Sequence, residues 1–489
     1  MTPEEIAFFA PILVAIGGVI LYLCIKFLPR TFRSLGGVLA AGWLFVVFCL
    51  MLAVIIPHPS FTDFPFIGLT GGLLITGIGA IAAWASQGSI DPKGPVHLYY
   101  PLFLFALAGA VAIGFSADLF TIFVMVELSA IPVYALCAYR HREDPAALGS
   151  ALQYLVQGVS GTLTALLGVA ILFMAGHTLN LHELPKALSG ADPALIMVAG
   201  VMILVGYGVK LAIVPMHTWL PNAYAHAPAG VTAIMVGATK IGVLIAMFLS
   251  LSALPGNVAV PANLGIIVIF FAVLTMTAGN LLALNQPDLR YILGYSSVAQ
   301  MGYILLGFGI GMVYNLELGF IAGLYYAIAY SLMKAGAFLA ADAFASCAGS
   351  FETAKMNGQG ARHPLLGISM VIFIFGLSGV PFTCGFLGKL LLEQAGMVTS
   401  MISGVILALV LALNSAISLG YYVPVMSTLI FPDKKNQTDK MPENIKKIPI
   451  THISGIVILA IITVYFGLFP ESFEWISHAG GQLYTWGVR

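Results

Sequence analysis

The sequence predicts an all-α polytopic membrane protein: about fourteen transmembrane helices, two inverted five-helix repeats, and broken helices at the seventh and twelfth spans. Three observations carry that expectation. Of the 489 residues, 60% are hydrophobic and only 8% are charged, whereas soluble domains carry about 25% charged residues. Apolar runs of about twenty residues, the length that crosses a hydrocarbon core, recur between polar breaks. Lysine and arginine crowd into alternate breaks.

Taken in order, the runs cover approximately 6–28, 35–57, 66–86, 97–115, 118–139, 150–175, 194–216, 229–253, 263–284, 291–311, 317–345, 364–396, 400–431 and 449–470. The first follows the acidic stretch Met1-Thr-Pro-Glu-Glu5. A cleavable leader would begin basic, so this run is expected to stay as a helix. The seventh carries Gly206 and Gly208 and is followed by Pro215 and Pro221, which remove backbone donors. The eighth holds Gly237, Ala238 and Gly242, small residues that permit close helix packing. The twelfth is long and interrupted by Pro381. The stretch His177–Pro193 is expected to hold an amphipathic turn. The domains expected are a three-helix segment over 1–96, five-helix repeats over 97–253 and 254–431, and a basic loop with the last helix over 432–489.

Charge placement tests the span count. Fourteen of the 20 lysines and arginines fall in or beside odd-numbered connections, and only Lys186 and Arg489 fall on the other side. The remaining four lie inside spans. Such a bias sets orientation, with the basic side cytoplasmic. Both termini are then expected on the non-cytoplasmic side of a prokaryotic cell membrane. The loop Phe431–Pro449, with five lysines, is cytoplasmic in this scheme.

Composition also excludes. Zero net charge argues against a nucleic-acid partner. Cys24, Cys49, Cys137, Cys347 and Cys384 form no CxxC pair, so they read as buried free thiols and not as a cluster or zinc site.

The chemistry lies in five charges at bilayer depth: Glu127, Lys210, Lys240, Lys334 and Lys389. Each costs at least ~2.5–3.5 kcal/mol to insert, so a chain that keeps five is expected to move protons or ions. Glu127 is too far from either end of its span to snorkel; it is either neutral or met by a cation. Lys210 and Lys389 each sit beside glycine and proline, where a helix interruption is tolerated only if buried or lining a wet cavity. Lys240 has no local carboxylate. Lys334 is followed on a similar helix face by Asp342, and Lys389 by Glu393, each an optional pairing partner. Arginine is absent from these positions, and lysine can lose its charge when buried whereas arginine cannot. His217 and His226 flank the segment Thr218–Ala225 and are auxiliary candidates, for hydrogen bonding or proton uptake or simply loop structure. No metal site is expected of them. Interrupted spans in corresponding places of two halves point to a transport site between repeats.

Several stretches resemble the antiporter-like subunits of respiratory complex I and of multisubunit cation/proton antiporters. They are Val209–Pro228, Ala238–Val243, Gln286–Tyr303 and the Gly-Phe-Leu-Gly-Lys ending at Lys389, within a resemblance covering roughly 95–425. The resemblance implies fourteen helices, a five-plus-five inverted repeat and a line of charges along the membrane midplane. It makes Glu127 the fifth-span glutamate, Lys210 the lysine of the broken seventh helix, Lys240 the central lysine of the eighth, and Lys389 the twelfth-span residue. Lysine at 389 and the short C-terminal end favour an N-type subunit, or an archaeal deazaflavin-linked counterpart. The chain departs at Tyr330, where several relatives have histidine, and at Lys334, which resembles other branches.

The resemblance further implies a non-redox subunit of a proton-translocating oxidoreductase. Its partners would be other membrane subunits, with flavin and iron–sulfur clusters in them and no cofactor in this chain. Glu127 would stabilise the Lys210 ammonium, and loosening that pair would pass a proton to Lys240 and on through Lys334 and Lys389. The alternative is a subunit of a Na⁺/H⁺ antiporter without redox coupling.

Overall fold

The computed structural model describes residues 3–27, 33–55, 66–91, 94–255, 260–399, 401–431, 448–470 and 476–481. The basic loop expected before the last span lies outside the described residues, as do both chain termini. Every regular element described is helical. The chain runs through α1 (Pro3–Phe27), α2 (Gly36–Ile55), α3 (Phe66–Ser86), α4 (Val96–Ile113), α5 (Leu119–Cys137) and α6 (Ala146–Gly176). It continues through α7 (Pro193–Leu211), α8 (Trp219–His226), α9 (Ala229–Ile234), a π-helical turn (Met235–Thr239) and α10 (Lys240–Ser252). Then come α11 (Val260–Leu284), α12 (Leu289–Tyr314), α13 (Glu317–Ala348), α14 (Pro364–Ser378), α15 (Cys384–Thr399), α16 (Met401–Ile430) and α17 (Ile450–Leu468).

Thirteen described helices are long and apolar enough to cross a membrane, or fourteen if the pair Thr353–Arg362 and Pro364–Ser378, bent by 117°, counts as one span. The twelfth apolar run is the one that does not form a single long helix. It divides into α14 and α15, each too short to cross alone. The stretch after α6 holds a short helix, Leu184–Ala187.

Burial sorts the helices. The segment Ala229–Ser252 is buried almost throughout, and α3, α12 and α13 are buried over most of their length. Helices α1, α16 and α17 lie outside and expose apolar side chains such as Ile16, Ile402, Leu413 and Ile461, as expected where the surrounding solvent is hydrocarbon. Close approach depends on missing side chains: a Cβ on Gly206 of α7 would stand 2.5 Å from the Ala165 amide nitrogen of α6. The five cysteines are free, but only Cys137, Cys347 and Cys384 are buried. Cys24 is half-buried and Cys49 is exposed, because their positions face outward on the peripheral helices α1 and α2.

Two helix starts repeat one device. Asp118 accepts the Thr121 amide at 2.8 Å ahead of α5, and Asp288 accepts the Arg290 amide at 2.8 Å ahead of α12. Each satisfies an otherwise orphaned N-terminal donor. Asp118 also forms an antiparallel bridge with Asn180, and Asp288 with Glu352, tying each start to the loop beyond the next long helix.

Candidate functional site

Four of the five predicted charges, the lysines, are buried, and the fifth, Glu127, is partly exposed. Lys210 occupies the last turn of α7. Its Nζ donates to Glu127 Oε1 at 3.2 Å and to the Tyr134 hydroxyl at 2.6 Å. Of the two readings open for Glu127, a facing cation is the one observed. The pair is lopsided: the Lys210 side chain is 1% exposed and that of Glu127 is 20% exposed. Glu127 therefore stands at the edge of the helix packing and not at its centre.

The backbone beyond Lys210 leaves the helix because Ala212 adopts a left-handed conformation, φ 59°. Its consequences are met locally. The Val209 carbonyl accepts the Trp219 indole at 2.8 Å and the Ala212 amide at 3.1 Å, and the Ile213 amide returns to Gly208 at 2.9 Å. The Val214 amide donates to the Thr275 hydroxyl at 3.1 Å. Irregular backbone at bilayer depth requires such partners. Trp219 in turn stacks on Tyr154, with centroids 4.0 Å apart.

Lys240 begins α10 directly after the π-helical turn, a local widening often found at functional sites. Its nearest polar partner is the Tyr330 hydroxyl at 3.5 Å, and its Nζ lies 5.6 Å from the Tyr224 ring centroid and 5.7 Å from that of Tyr330. Tyr330 is thus the residue that meets Lys240. A cavity of about 20 Å³ is lined by both Lys210 and Lys240, with Ser129 and Tyr224 in its wall. The buried Ser129 and Tyr224 hydroxyls have no hydrogen-bond partner among the described residues. Such a space has room for about one water with several polar neighbours.

Lys334 donates to the Leu293 carbonyl at 2.9 Å and to the Ser296 hydroxyl at 2.5 Å. The Asp342 pairing offered by sequence does not form. Asp342 lies two helical turns further along and faces Arg140 at 3.9 Å instead. Lys389 donates to the Leu377 and Ser378 carbonyls and to the Ser415 hydroxyl, each at 3.1 Å. It thus closes the C-terminus of α14, where a cation is favoured by the free carbonyls. Glu393, the pairing partner offered by sequence, is not among these hydrogen-bond partners. The Leu377 carbonyl also receives Gln300 at 3.3 Å, and Gln300 in turn accepts a short bond from Tyr326.

His217 lies in the turn between α7 and α8 beside Tyr295, with ring centroids 6.4 Å apart, and does not line the lysine cavity. His226 closes α8 and pairs with Asp144 at 2.6 Å. Burial raises the Asp144 carboxyl, but the His226 contact, the Ala146 amide and Arg290 outweigh it and hold it below the usual carboxylate range. No cluster of His, Cys, Asp or Glu able to hold a metal occurs among the described residues.

The hydroxyls that serve the lysines were missed in the sequence: Tyr134, Tyr330, Ser296 and Ser415. Helical spacing held part of the signal. Tyr134 lies seven residues after Glu127 and Tyr330 four before Lys334, on the same faces.

A chain of many long apolar helices that buries four lysines among them is a polytopic membrane protein. The transmembrane family described as NADH:quinone oxidoreductase/Mrp antiporter matches residues 116–415, and the chain belongs to it. It is similar to F(420)H(2) dehydrogenase subunit N of Methanosarcina mazei, 29% identical over 96% of this chain and 97% of the relative. It is also 31% identical to NADH-quinone oxidoreductase subunit N of Chromohalobacter salexigens, over 83% of this chain and 84% of the relative. Its fold matches a chain in the structure of the Mrp complex from Dietzia sp. DQ12-45-1b with a TM-score of 0.83, at 20% identity, covering 99% of this chain and 98% of that one.

Proposed function

We propose that the chain is the proton-translocating, non-redox N-type subunit of a membrane-bound complex I-like oxidoreductase, with other membrane subunits beside it. Electron transfer would occur in partner subunits that carry flavin and iron–sulfur clusters. The subunit assignment rests on the near full-length similarity to two subunits N, one of an F(420)H(2) dehydrogenase and one of an NADH-quinone oxidoreductase. The observation that carries the transport reading is the set of four buried lysines, each with a hydroxyl or carbonyl partner.

In this reading Glu127 holds the Lys210 ammonium. Loosening that contact releases a proton across the small cavity to Lys240, then past Tyr330 to Lys334 and, by way of Gln300, to Lys389. The partly exposed Glu127 is placed to sense a neighbouring subunit.

The reading includes two inverted repeats, over 97–253 and 254–431, with the seventh and twelfth spans broken. Supporting this, α5–α6–α7 and α12–α13–α14 share the aspartate cap, the tied loop, a helix of 31 or 32 residues and a left-handed stop near a lysine. The 14-to-2 charge bias supports cytoplasmic odd connections and both termini on the opposite face.

The test is Lys240→Ala in the purified complex returned to liposomes. Substrate-driven proton flux should vanish while the complex remains assembled, and normal flux would refute the relay. Flux driven by a sodium gradient and indifferent to electron donor would instead identify an antiporter without redox coupling.

A further inference from the structure

Helix α16 is peripheral. Leu409, Leu413, Leu419 and Val423 on its outer side are exposed, as suits a helix that faces hydrocarbon. Its inner side carries polar residues on two neighbouring stripes. Asn414 and Tyr421 form one, and Ser415 and Tyr422 form the other. Seven residues make almost two helical turns, so the members of each pair share a face, about 10.5 Å apart along the axis. The step of one residue sets the two stripes about 100° apart.

The first stripe meets α11. Asn280 is fully buried there. Its Nδ2 donates to the Asn414 carbonyl and to Asn414 Oδ1, each at 3.1 Å, and its Oδ1 accepts the Tyr421 hydroxyl at 2.9 Å. Asn414 Nδ2 in turn donates to the Thr277 hydroxyl at 3.2 Å and to the Val410 carbonyl at 3.0 Å. Each side-chain amide thus uses both of its N–H donors. One asparagine of α11 grips α16 at two heights.

The second stripe meets the lysines. Ser415 Oγ accepts Lys389 Nζ at 3.1 Å, and the Tyr422 ring centroid lies 5.9 Å from Lys334 Nζ, within cation–π reach. The other two acceptors of Lys389 are the Leu377 and Ser378 carbonyls of α14. Together the three match the three donors of an ammonium, and only Ser415 comes from α16. Apolar side chains can hold two helices at several rotations, whereas directed hydrogen bonds fix one. Turning α16 by a single residue's step would carry Ser415 and Tyr422 away from both lysines together. Side-chain amides do not titrate, so the clasp keeps its shape while a proton arrives and leaves.

We propose that Asn280 and Asn414 are positioning residues for the proton step between Lys334 and Lys389: their clasp holds α16 at the rotation in which Ser415 receives the Lys389 ammonium while Tyr422 faces Lys334. The proposal rests on the relay reading and adds the element that fixes its last step. Neither asparagine carries the proton.

The experiment uses the assembled complex in liposomes, with substrate-driven flux normalised to assembled complex. Asn280→Leu removes the clasp at similar volume and should lower flux about ten- to a hundredfold. Tyr421→Phe removes one bond, leaves the two amides joined and should lower flux by a smaller factor. Ser415→Ala should act like Asn280→Leu, and Ser415→Thr, which keeps a hydroxyl, should recover most of the loss. Combined with Ser415→Ala, Asn280→Leu or Tyr421→Phe should fall well short of the product of the single losses, because the contact they position is already gone. A clasp that merely supports the fold would give the full product in both combinations, and that result overturns the proposal. If Lys389→Met is silent but Asn280→Leu and Tyr421→Phe conduct normally, the clasp falls and the relay stands. If Lys389→Met conducts normally, Lys389 is not in the relay and the clasp falls with that step.

Discussion

Gly379→Ala probes the interruption after α14 most directly. Gly379 has φ 86°, a left-handed conformation, and a Cβ there would lie 2.9 Å from Lys389 Cδ and 3.5 Å from its Nζ. The backbone conformation alone costs a residue with a Cβ about 1–2 kcal/mol. The second cost comes from Lys389, which must move off its carbonyls Leu377 and Ser378, each at 3.1 Å. A hydrogen bond from a charged donor contributes about 1.5–3 kcal/mol. Losing both would bring the total to about 4–8 kcal/mol, against about 1–2 kcal/mol if the lysine simply slides aside. A double-mutant cycle with Lys389→Met separates the terms. In the Lys389→Met background there is no ammonium to displace, so Gly379→Ala should cost only the backbone term. The assay is apparent stability of the purified complex on heating, with proton flux measured on the same preparations. Equal destabilisation by Gly379→Ala in both backgrounds would refute the coupling between the left-handed glycine and the lysine.

Two further outcomes follow from the structure. Trp219→Phe removes the indole donor from the Val209 carbonyl, and because the Ala212 amide still reaches that oxygen the loss should be about 1 kcal/mol; unchanged melting would show that the indole does not secure the end of α7. Asp144 is held below the usual 3.8 by its partners, so its ionised form contributes stability above that value, which disappears as pH falls through the depressed one. Asp144→Asn should therefore lower thermal stability at neutral pH, and the difference from wild type should shrink in acid; a gap that persists undiminished below the carboxylate range would contradict the His226 contact.

Much of this protein was legible in its sequence. Hydrocarbon admits only backbone that bonds to itself, so composition and run length were enough to establish helices and their approximate number. The cost of burying charge made Glu127 and the four lysines conspicuous among apolar neighbours. What sequence could not decide was which side chains those charges meet. Asp342 and Glu393 were attractive because helical spacing is local, yet Lys334 and Lys389 turn to Ser296 and to the end of α14, contacts that only helix packing creates. The π-helical turn before Lys240 has no local signature, since it reflects how α9 and α10 are wedged among α3, α4 and α13. Asn280 and Asn414 are likewise two amides on separate helices until the fold sets α16 against α11. Insertion energetics act on each residue alone and can be read from a string. Partners are chosen by distance between helices far apart in the chain, and only the tertiary structure supplies those distances.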